Sequence, residues 1–347
     1  MEIVDFKHLF DAIKKVRNTL SYTSGIESTG WLCFRDGKLT TFDGASGTIT
    51  KSPLKTEFCV AAKKFINMVE SLVGKRGSFT FEEGWLHVQS ESYQTKIPLL
   101  DERDFADIRP KNPEAYCLAD NLAKAMKAAQ GTMTKDTKTT SDRLLHGVGF
   151  RGSYAYSTDR KRVTRAALNS PVEHPVSIGK IAVDQLVRLG QPNYLFHEGT
   201  NIGAVYKEQK TLVVTRSLEE LFPFEQMDQM FFDPSDRKVV VPVPEDLIEA
   251  VDRVQALVDD DESRLLLKAE PDKLYLKSLA TESGETRDEL HFPHGVEFEI
   301  KVKAQLFKQT LKRMKPSQID LTDVVCGDST MLFFYGDGFE TAFATMV

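Results

Sequence analysis

The chain has 347 residues, of which 41% are hydrophobic and 28% charged, and its mean hydropathy is −0.30. That length predicts two or three domains, and the composition supplies ample core-forming side chains. No run approaches the ~20 uncharged apolar residues of a membrane helix, the N-terminus lacks the basic and apolar regions of a signal peptide, and a formal charge of −6 counts globally against nucleic-acid binding. Cys33, Cys59, Cys117 and Cys326 show no paired spacing, which argues against structural zinc and a disulfide framework and points to a reducing cytoplasm.

Internal periodicity organises the rest. The first amphipathic helix is predicted over 6–20, where Phe6, Leu9, Phe10, Ile13, Val16 and Leu20 keep the spacing of a half-buried helix. Trp31 to Phe42 then reads as strands around a turn at Asp36-Gly37. A second helix over 60–73 precedes Phe79 to Val88, which turns at Glu83-Gly84. The third, over 118–130, carries Leu118, Leu122, Ala125, Met126 and Ala129, and precedes Phe150 to Tyr156 with a turn at Gly152-Ser153. A fourth over 179–190 precedes Tyr194 to Tyr206, turning within Gly199-Thr200-Asn201. The fifth, over 244–258, precedes Leu265 to Leu276 around Pro271-Asp272. The sixth, over 302–315, uses Leu306, Phe307, Thr310, Leu311 and Met314, is limited by Pro316, and precedes Met331 to Phe343 around Gly336-Asp337-Gly338.

One helix plus a small antiparallel sheet, six times over, predicts an α+β fold. A unit of ~58 residues buries too little surface to be stable alone, so paired units sharing a core predict three domains. The segments Leu99 to Pro113 and Leu218 to Pro234 are acidic, contain proline and lack helical periodicity. They place boundaries near 111 and 234, giving domains 1–111, 112–234 and 235–347.

Charge segregates along this repeat. The six helix windows hold sixteen Lys/Arg and eight Asp/Glu, a net of +8, so the rest of the chain carries −14. Lys7, Lys14 and Lys15 lie opposite the apolar stripe of the first helix, Lys63 and Lys64 on the second, and Lys124 and Lys127 on the third. Lys180 and Arg188 do so on the fourth, and Lys308, Lys312 and Lys315 on the sixth, with Arg313 at its flank. The fifth helix dissents, with Glu245, Glu249 and Asp252 beside Arg253. A surface that tracks phosphates without reading sequence explains five basic helices on an acidic background better than ordinary solvent-facing lysines do.

Six such repeats with basic helices resemble the bacterial DNA polymerase III β subunit, the β sliding clamp, along essentially the whole chain. The most specific stretch is Leu144 to Ala166: Leu145 to Phe150 is similar to the family's L-N-G-M-L-F run, and Thr158 to Val163 to its T-D-G-H-R-L motif. Phe105 and Phe222-Pro223 are similar to its F-P linker motifs, and Thr345-Met346-Val347 to the start of its M-P-M tail. Arg160 and Lys161 stand where the family has Gly-His, a departure that fits a divergent member, viral for example. The resemblance implies the DNA clamp fold: three similar domains of two repeats each, two subunits per ring, helices on the inner face and sheets outside. It implies a homodimeric, non-catalytic processivity factor that encircles double-stranded DNA, needs no cofactor, and tethers the polymerase and the clamp loader through short linear motifs. Carried over by motif, the docking cleft comprises Leu145, Thr158, Arg160, Arg162, Val163, Pro223, Thr345 and Met346. Leu145, Val163, Pro223 and Met346 form its apolar pocket, although core packing explains Leu145 and Val163 as well.

Other signals carry less. Gly147-Val148-Gly149-Phe150-Arg151-Gly152 matches the dinucleotide fingerprint by letter, but the residues after it read as a hairpin and strand instead of a helix. His291 and His294 have no second ligand pair for zinc, and Asp259-Asp260-Asp261-Glu262 lacks the spacing and glycine of a calcium loop. A dinucleotide-dependent enzyme and a repeat scaffold that does not encircle DNA are the rival readings.

Overall fold

The computed structural model describes residues 1–22, 25–111, 114–118, 120–134, 145–219, 222–231, 234–256, 264–278, 285–326 and 331–346. Leu144, the acidic run 259–262 and Val347 lie outside the described residues.

The first third contains β1 (Glu2–Asp5), α1 (Phe6–Val16), β2 (Trp31–Arg35), β3 (Lys38–Phe42), β4 (Ser46–Lys51), β5 (Phe58–Ala61), α2 (Ala62–Ser71), β6 (Arg76–Glu82), β7 (Trp85–Ser90) and β8 (Tyr93–Pro98). Then come β9 (Glu114–Leu118), α3 (Leu122–Gln130), β10 (Gly147–Thr158), β11 (Arg162–Gly179), α4 (Lys180–Leu189), β12 (Tyr194–Glu198), β13 (Asn201–Tyr206) and β14 (Thr211–Arg216). The last third holds the short α5 (Phe224–Asp228), β15 (Val240–Pro242), α6 (Leu247–Gln255), β16 (Arg264–Glu270), β17 (Lys273–Ser278), β18 (Arg287–His291) and β19 (Phe298–Lys303). It closes with α7 (Ala304–Met314), β20 (Gln318–Asp320), α8 (Thr322–Cys326), β21 (Met331–Gly336) and β22 (Phe339–Ala344).

All six expected helices are present, as α1, α2, α3, α4, α6 and α7, but shorter than their sequence windows. Val60, Leu118 and Val302 belong to the strands β5, β9 and β19, and Leu20 lies beyond α1. These apolar strand residues fall in phase with the helix that follows, so periodicity alone merges the two. Asp5 marks the true start of α1, its carboxylate accepting from the N–H groups of Lys7 at 2.9 Å and His8 at 3.3 Å. Five of the expected hairpins form where the turn residues stand. The exception is Phe150 to Tyr156: β10 runs unbroken through Gly152, and the reversal comes at Asp159–Lys161, with Arg160 at φ 69°.

The chain forms two compact units, one of residues 1–124 and 169–219, the other of 125–168 and 220–347. The first holds a four-stranded sheet, β1-β6-β7-β8, and an eight-stranded one, β5-β2-β3-β4-β14-β13-β12-β9. Its core gathers Leu9, Ile13 and Val16 of α1 with Phe65 and Val69 of α2 against Leu32, Phe34, Leu86 and Val88. Phe34 and Phe58 stack at 4.4 Å between ring centres. The second unit holds a six-stranded sheet, β10-β11-β22-β21-β20-β15, and a four-stranded one, β18-β17-β16-β19. There Val251 and Val254 of α6 meet Phe307 and Leu311 of α7 over Leu267, Leu276, Phe334 and Phe343. Each large buried side chain contributes roughly 1.5–3 kcal/mol.

In each larger sheet the antiparallel pairing that joins the most distant strands, more than 160 positions apart, is lined by hydroxyls. Thr50 faces Thr211 and Ser46 faces Thr215 across β4 and β14, with hydroxyl oxygens 2.8 Å apart in both pairs. Across β11 and β22, Thr164 and Thr341 repeat the contact at 2.8 Å. The helix ends use hydroxyls too. Thr19 and Thr41, 2.6 Å apart, both reach the Val16 carbonyl that α1 leaves open, at 3.0 and 2.8 Å. Thr132 and Ser157 do the same for the Ala129 carbonyl at the end of α3.

The Thr164–Thr341 pair gives a test of this joint. Thr164→Val alone leaves its partner hydroxyl poorly satisfied and should cost about 1–2 kcal/mol in urea denaturation; adding Thr341→Val should cost much less than twice that.

Candidate nucleic-acid interface and docking site

The thirteen basic residues expected to face nucleic acid divide into two groups. Lys7, Lys63, Lys64, Lys127, Arg313 and Lys315 are exposed and meet no carboxylate among the described residues, and Lys124 is exposed as well. The others are engaged. Lys14 pairs with Asp11 at 3.0 Å and Lys180 with Asp184 at 2.6 Å, both along their own helices. Lys15 donates to the Gln209 carbonyl at 3.1 Å. Lys308 and Lys312 converge on Asp252 of α6 at 2.7 and 2.5 Å, so the acidic dissenter of the fifth repeat neutralises part of the sixth.

Arg188 has a structural task. Its guanidinium donates to the carbonyls of Lys14 and, at 2.6 Å, Lys15, while Gln185 adds a second bond to the Lys15 carbonyl at 2.6 Å and one to Thr48 at 2.9 Å. Partial burial lowers the Arg188 pKa, but a cation at a helix C-terminus also complements the helix dipole. Together these groups fix α4 against the end of α1.

The residues expected to form the docking cleft all fall within the second unit. Thr158, Arg160 and Arg162 share the turn between β10 and β11. The Thr158 hydroxyl donates to the Arg162 carbonyl at 2.8 Å and accepts from the Arg160 N–H at 3.1 Å. Asp159 accepts from the Arg162 guanidinium at 2.6 and 2.8 Å, and that guanidinium reaches Thr310 of α7 at 3.0 Å. Arg162 is only 2% exposed, so it positions the turn without offering a surface to a partner. Arg160, in the left-handed region, is exposed.

Val163 is buried in an apolar cluster with Phe222, Phe224, Met227 and Phe333. Pro223 caps α5 and stays exposed between two buried phenylalanines. Those rings lie over Gly149, where an added Cβ would stand 2.6 Å from Phe222 and 2.8 Å from Phe224. The fingerprint-like run Gly147–Gly152 is therefore strand covered by side chains, with no helix after it, and the dinucleotide reading fails on that geometry. The C-terminal segment runs beside the turn: Ala344 donates to the Lys161 carbonyl at 2.9 Å and Met346 to that of Lys301 at 2.7 Å. Thr345 and Met346 are half-buried. Leu145 is half-buried two residues before β10, its carbonyl accepting from the Thr134 N–H at 3.0 Å. The fold thus brings Thr158 to Val163 beside the C-terminal segment and Pro223 onto the cluster holding Val163, while Leu145 is anchored to Thr134.

Several residues that hold this region escaped sequence reasoning. The Tyr156 hydroxyl donates to Asp228 at 2.6 Å, and burial with that carboxylate pushes the phenol pKa up. Arg165 binds Glu340 at 2.9 Å and lies 4.3 Å from the Phe231 ring centre. The spacing of Asp159 and Arg162 was the one local signal. His291 ends β18, and the His294 ring sits edge-on to Phe292.

Neither a protein-family model nor a curated protein sequence matches the chain. Solved structures do. The β sliding clamp of Caulobacter crescentus superposes with a TM-score of 0.83 at 15% identity, covering 99% of this chain and 98% of that one. The DNA polymerase sliding clamp of Pseudomonas aeruginosa gives 0.82 at 17% identity, covering 99% of both chains. The Helicobacter pylori β clamp, bound to a DNA ligase peptide, gives 0.81 at 17% identity, also over 99% of both. The chain therefore has the α+β fold of bacterial β sliding clamps along its whole length.

Asp159→Ala should leave Arg162 buried and unpaired, costing about 3–5 kcal/mol in chemical denaturation. A loss below about 1 kcal/mol would show that the pair does not hold the turn.

Proposed function

We propose that the protein is a DNA sliding clamp, a non-catalytic processivity factor of three domains, 1–111, 112–234 and 235–347. The observation that carries this reading is the clamp fold at TM-scores above 0.8 over 99% of the chain. Its internal repetition supports a closed homodimer. β4 pairs with β14 and β11 with β22, each the last strand of one half-domain against the last strand of another. By the same pattern β18 and β8 are the two strands left to pair, and both are sheet edges within this chain. Two copies joined β18 to β8, twice, complete a ring. β8 offers Lys96 and β18 offers Glu289 to that seam, each exposed and next to a buried residue, Ile97 and Leu290, while Asp288 is taken by Arg253.

Within the ring, helix cations hold duplex DNA through its phosphates. Contacts of this kind carry no sequence information, so the protein slides, and retention is topological. The exposed set of Lys7, Lys63, Lys64, Lys127, Arg313 and Lys315 supplies the attraction, while the ion-paired lysines stiffen the helices. The net negative charge outside the helices disfavours DNA on the outer surface, apart from the lysines beside Arg109 on the sheet face. The turn of Thr158 to Val163, Pro223 and Thr345-Met346 receives short motifs of polymerase and clamp loader. With Arg160 and Lys161 in that turn, acidic residues flanking the motif would be favoured. The protein works in the cytoplasm, that of a host for a viral member.

Retention on nicked circular DNA, and release when the circle is linearised, is the direct test; equal loss from both would refute encirclement. Lys63→Glu with Lys64→Glu should shorten retention severalfold at physiological salt, whereas Lys180→Ala should change it little. In sedimentation equilibrium the protein should weigh twice 39.1 kDa. Lys96→Glu should weaken that dimer about fivefold by placing like charges across the seam, and an unchanged dimer would move the interface elsewhere. Deleting Met346 and Val347 should weaken polymerase docking without altering the dimer's mass.

A further inference from the structure

A cavity of about 440 Å³ in the first unit belongs to neither the helix faces nor the docking turn. It opens where β3, β4, β13 and β14 end beside Arg109 and Pro110. Strand alternation places it on the sheet: Ser46, Thr48 and Thr50 point toward α1 and α4, so Ile49 and Lys51 point to the opposite face. Linker residue Ile108 packs on that same face, where a Cβ on Gly47 would stand 2.0 Å from its side chain.

The lining combines an apolar floor with a cationic rim. Ile49, Val205 and Leu212 contribute the floor; Lys38, Lys51, Lys207 and Lys210 stand around it. None of these four lysines meets a carboxylate among the described residues, in contrast to Lys14, Lys180, Lys308 and Lys312. Asp36, the acidic residue of the lining, is occupied by Arg109, which Asp107 also binds at 2.8 Å. The rim is held in place. Lys210 lies at φ 50°, a conformation unfavourable for a side-chain-bearing residue, and its carbonyl accepts from the Lys51 N–H at 3.2 Å.

We propose that this cavity is a second docking site, one that takes a short acidic peptide segment with an apolar anchor from a partner protein. Charge complementarity selects the occupant: four uncompensated cations in a chain of net charge −6 require an anionic partner. The floor decides between anions, because a phosphate backbone has nothing to place on Ile49, Val205 and Leu212, whereas a leucine or phenylalanine flanked by carboxylates fills both parts. The volume suits one or two such side chains, within the range of small-ligand pockets. The site rests on the first unit alone and is independent of whether the protein encircles DNA.

The test uses the full chain and a synthetic pool of fluorescein-labelled octapeptides, each with one Leu or Phe beside three Asp or Glu. Matched pools lack the apolar or the acidic residues. Saturable anisotropy change with the first pool is expected, at least tenfold weaker with either matched pool, together with shifts of the Ile49, Val205 and Leu212 methyl resonances. Lys51→Glu with Lys210→Glu should weaken binding at least tenfold while the thermal melt stays unchanged. Three results would overturn the proposal: no saturable binding of the acidic–apolar pool, equal binding by the charge-reversed protein, or duplex DNA shifting the same methyls more strongly than the peptides do.

Discussion

The architecture depends on two antiparallel seams in which the chain pairs with itself across a long sequence interval. β4 meets β14 and β11 meets β22, and at both seams serine or threonine hydroxyls meet across the pairing, flanked at the second by Arg162 and Phe343. A helix laid over such a seam needs a shallow floor, which Ser46, Thr48 and Thr50 provide. Burying those side chains is tolerable because every hydroxyl finds a partner. The same device closes the ends of α1 and α3, where Thr19 with Thr41 and Thr132 with Ser157 satisfy carbonyls that the helix leaves open. Two helix ends solved alike, far apart in sequence, are the physical trace of the repeat.

Electrostatics follow from that frame. A count of lysines on helix faces treats them as equivalent, but the packed helices do not. Asp252 draws Lys308 and Lys312 together, and Arg188 is spent on backbone carbonyls. What remains exposed and meets no carboxylate among the described residues is Lys7, Lys63, Lys64, Lys127, Arg313 and Lys315. An equally marked positive cluster lies on the sheet face around Lys51 and Lys210, contributed by strand ends and a turn.

Much of this was legible in the sequence because helices two or three turns long carry a strong apolar period, and because turns such as Asp36-Gly37 announce their geometry. What misled was local ambiguity. Val60 and Val302 are strand residues in phase with a helix, and Gly152 looks like a turn while β10 continues through it. The turn from Thr158 to Val163 was recognisable as a motif, yet the burial of Arg162 depends on Thr310, nearly 150 positions away, which no local pattern encodes. The cavity beside Arg109 was invisible for the same reason: its lysines come from three separate stretches, β3, the end of β4 and the turn before β14, that only the seam assembles.

The discontinuity of the first unit has a consequence for synthesis. β4 leaves the ribosome long before β14 exists, so this half of the protein waits with an open edge until residue 216 has emerged. An open apolar edge in that interval would recruit other nascent chains. The serine and threonines that make the seam shallow also make the waiting edge hydrophilic. The residues that permit the finished sheet to close thereby keep its unfinished half soluble.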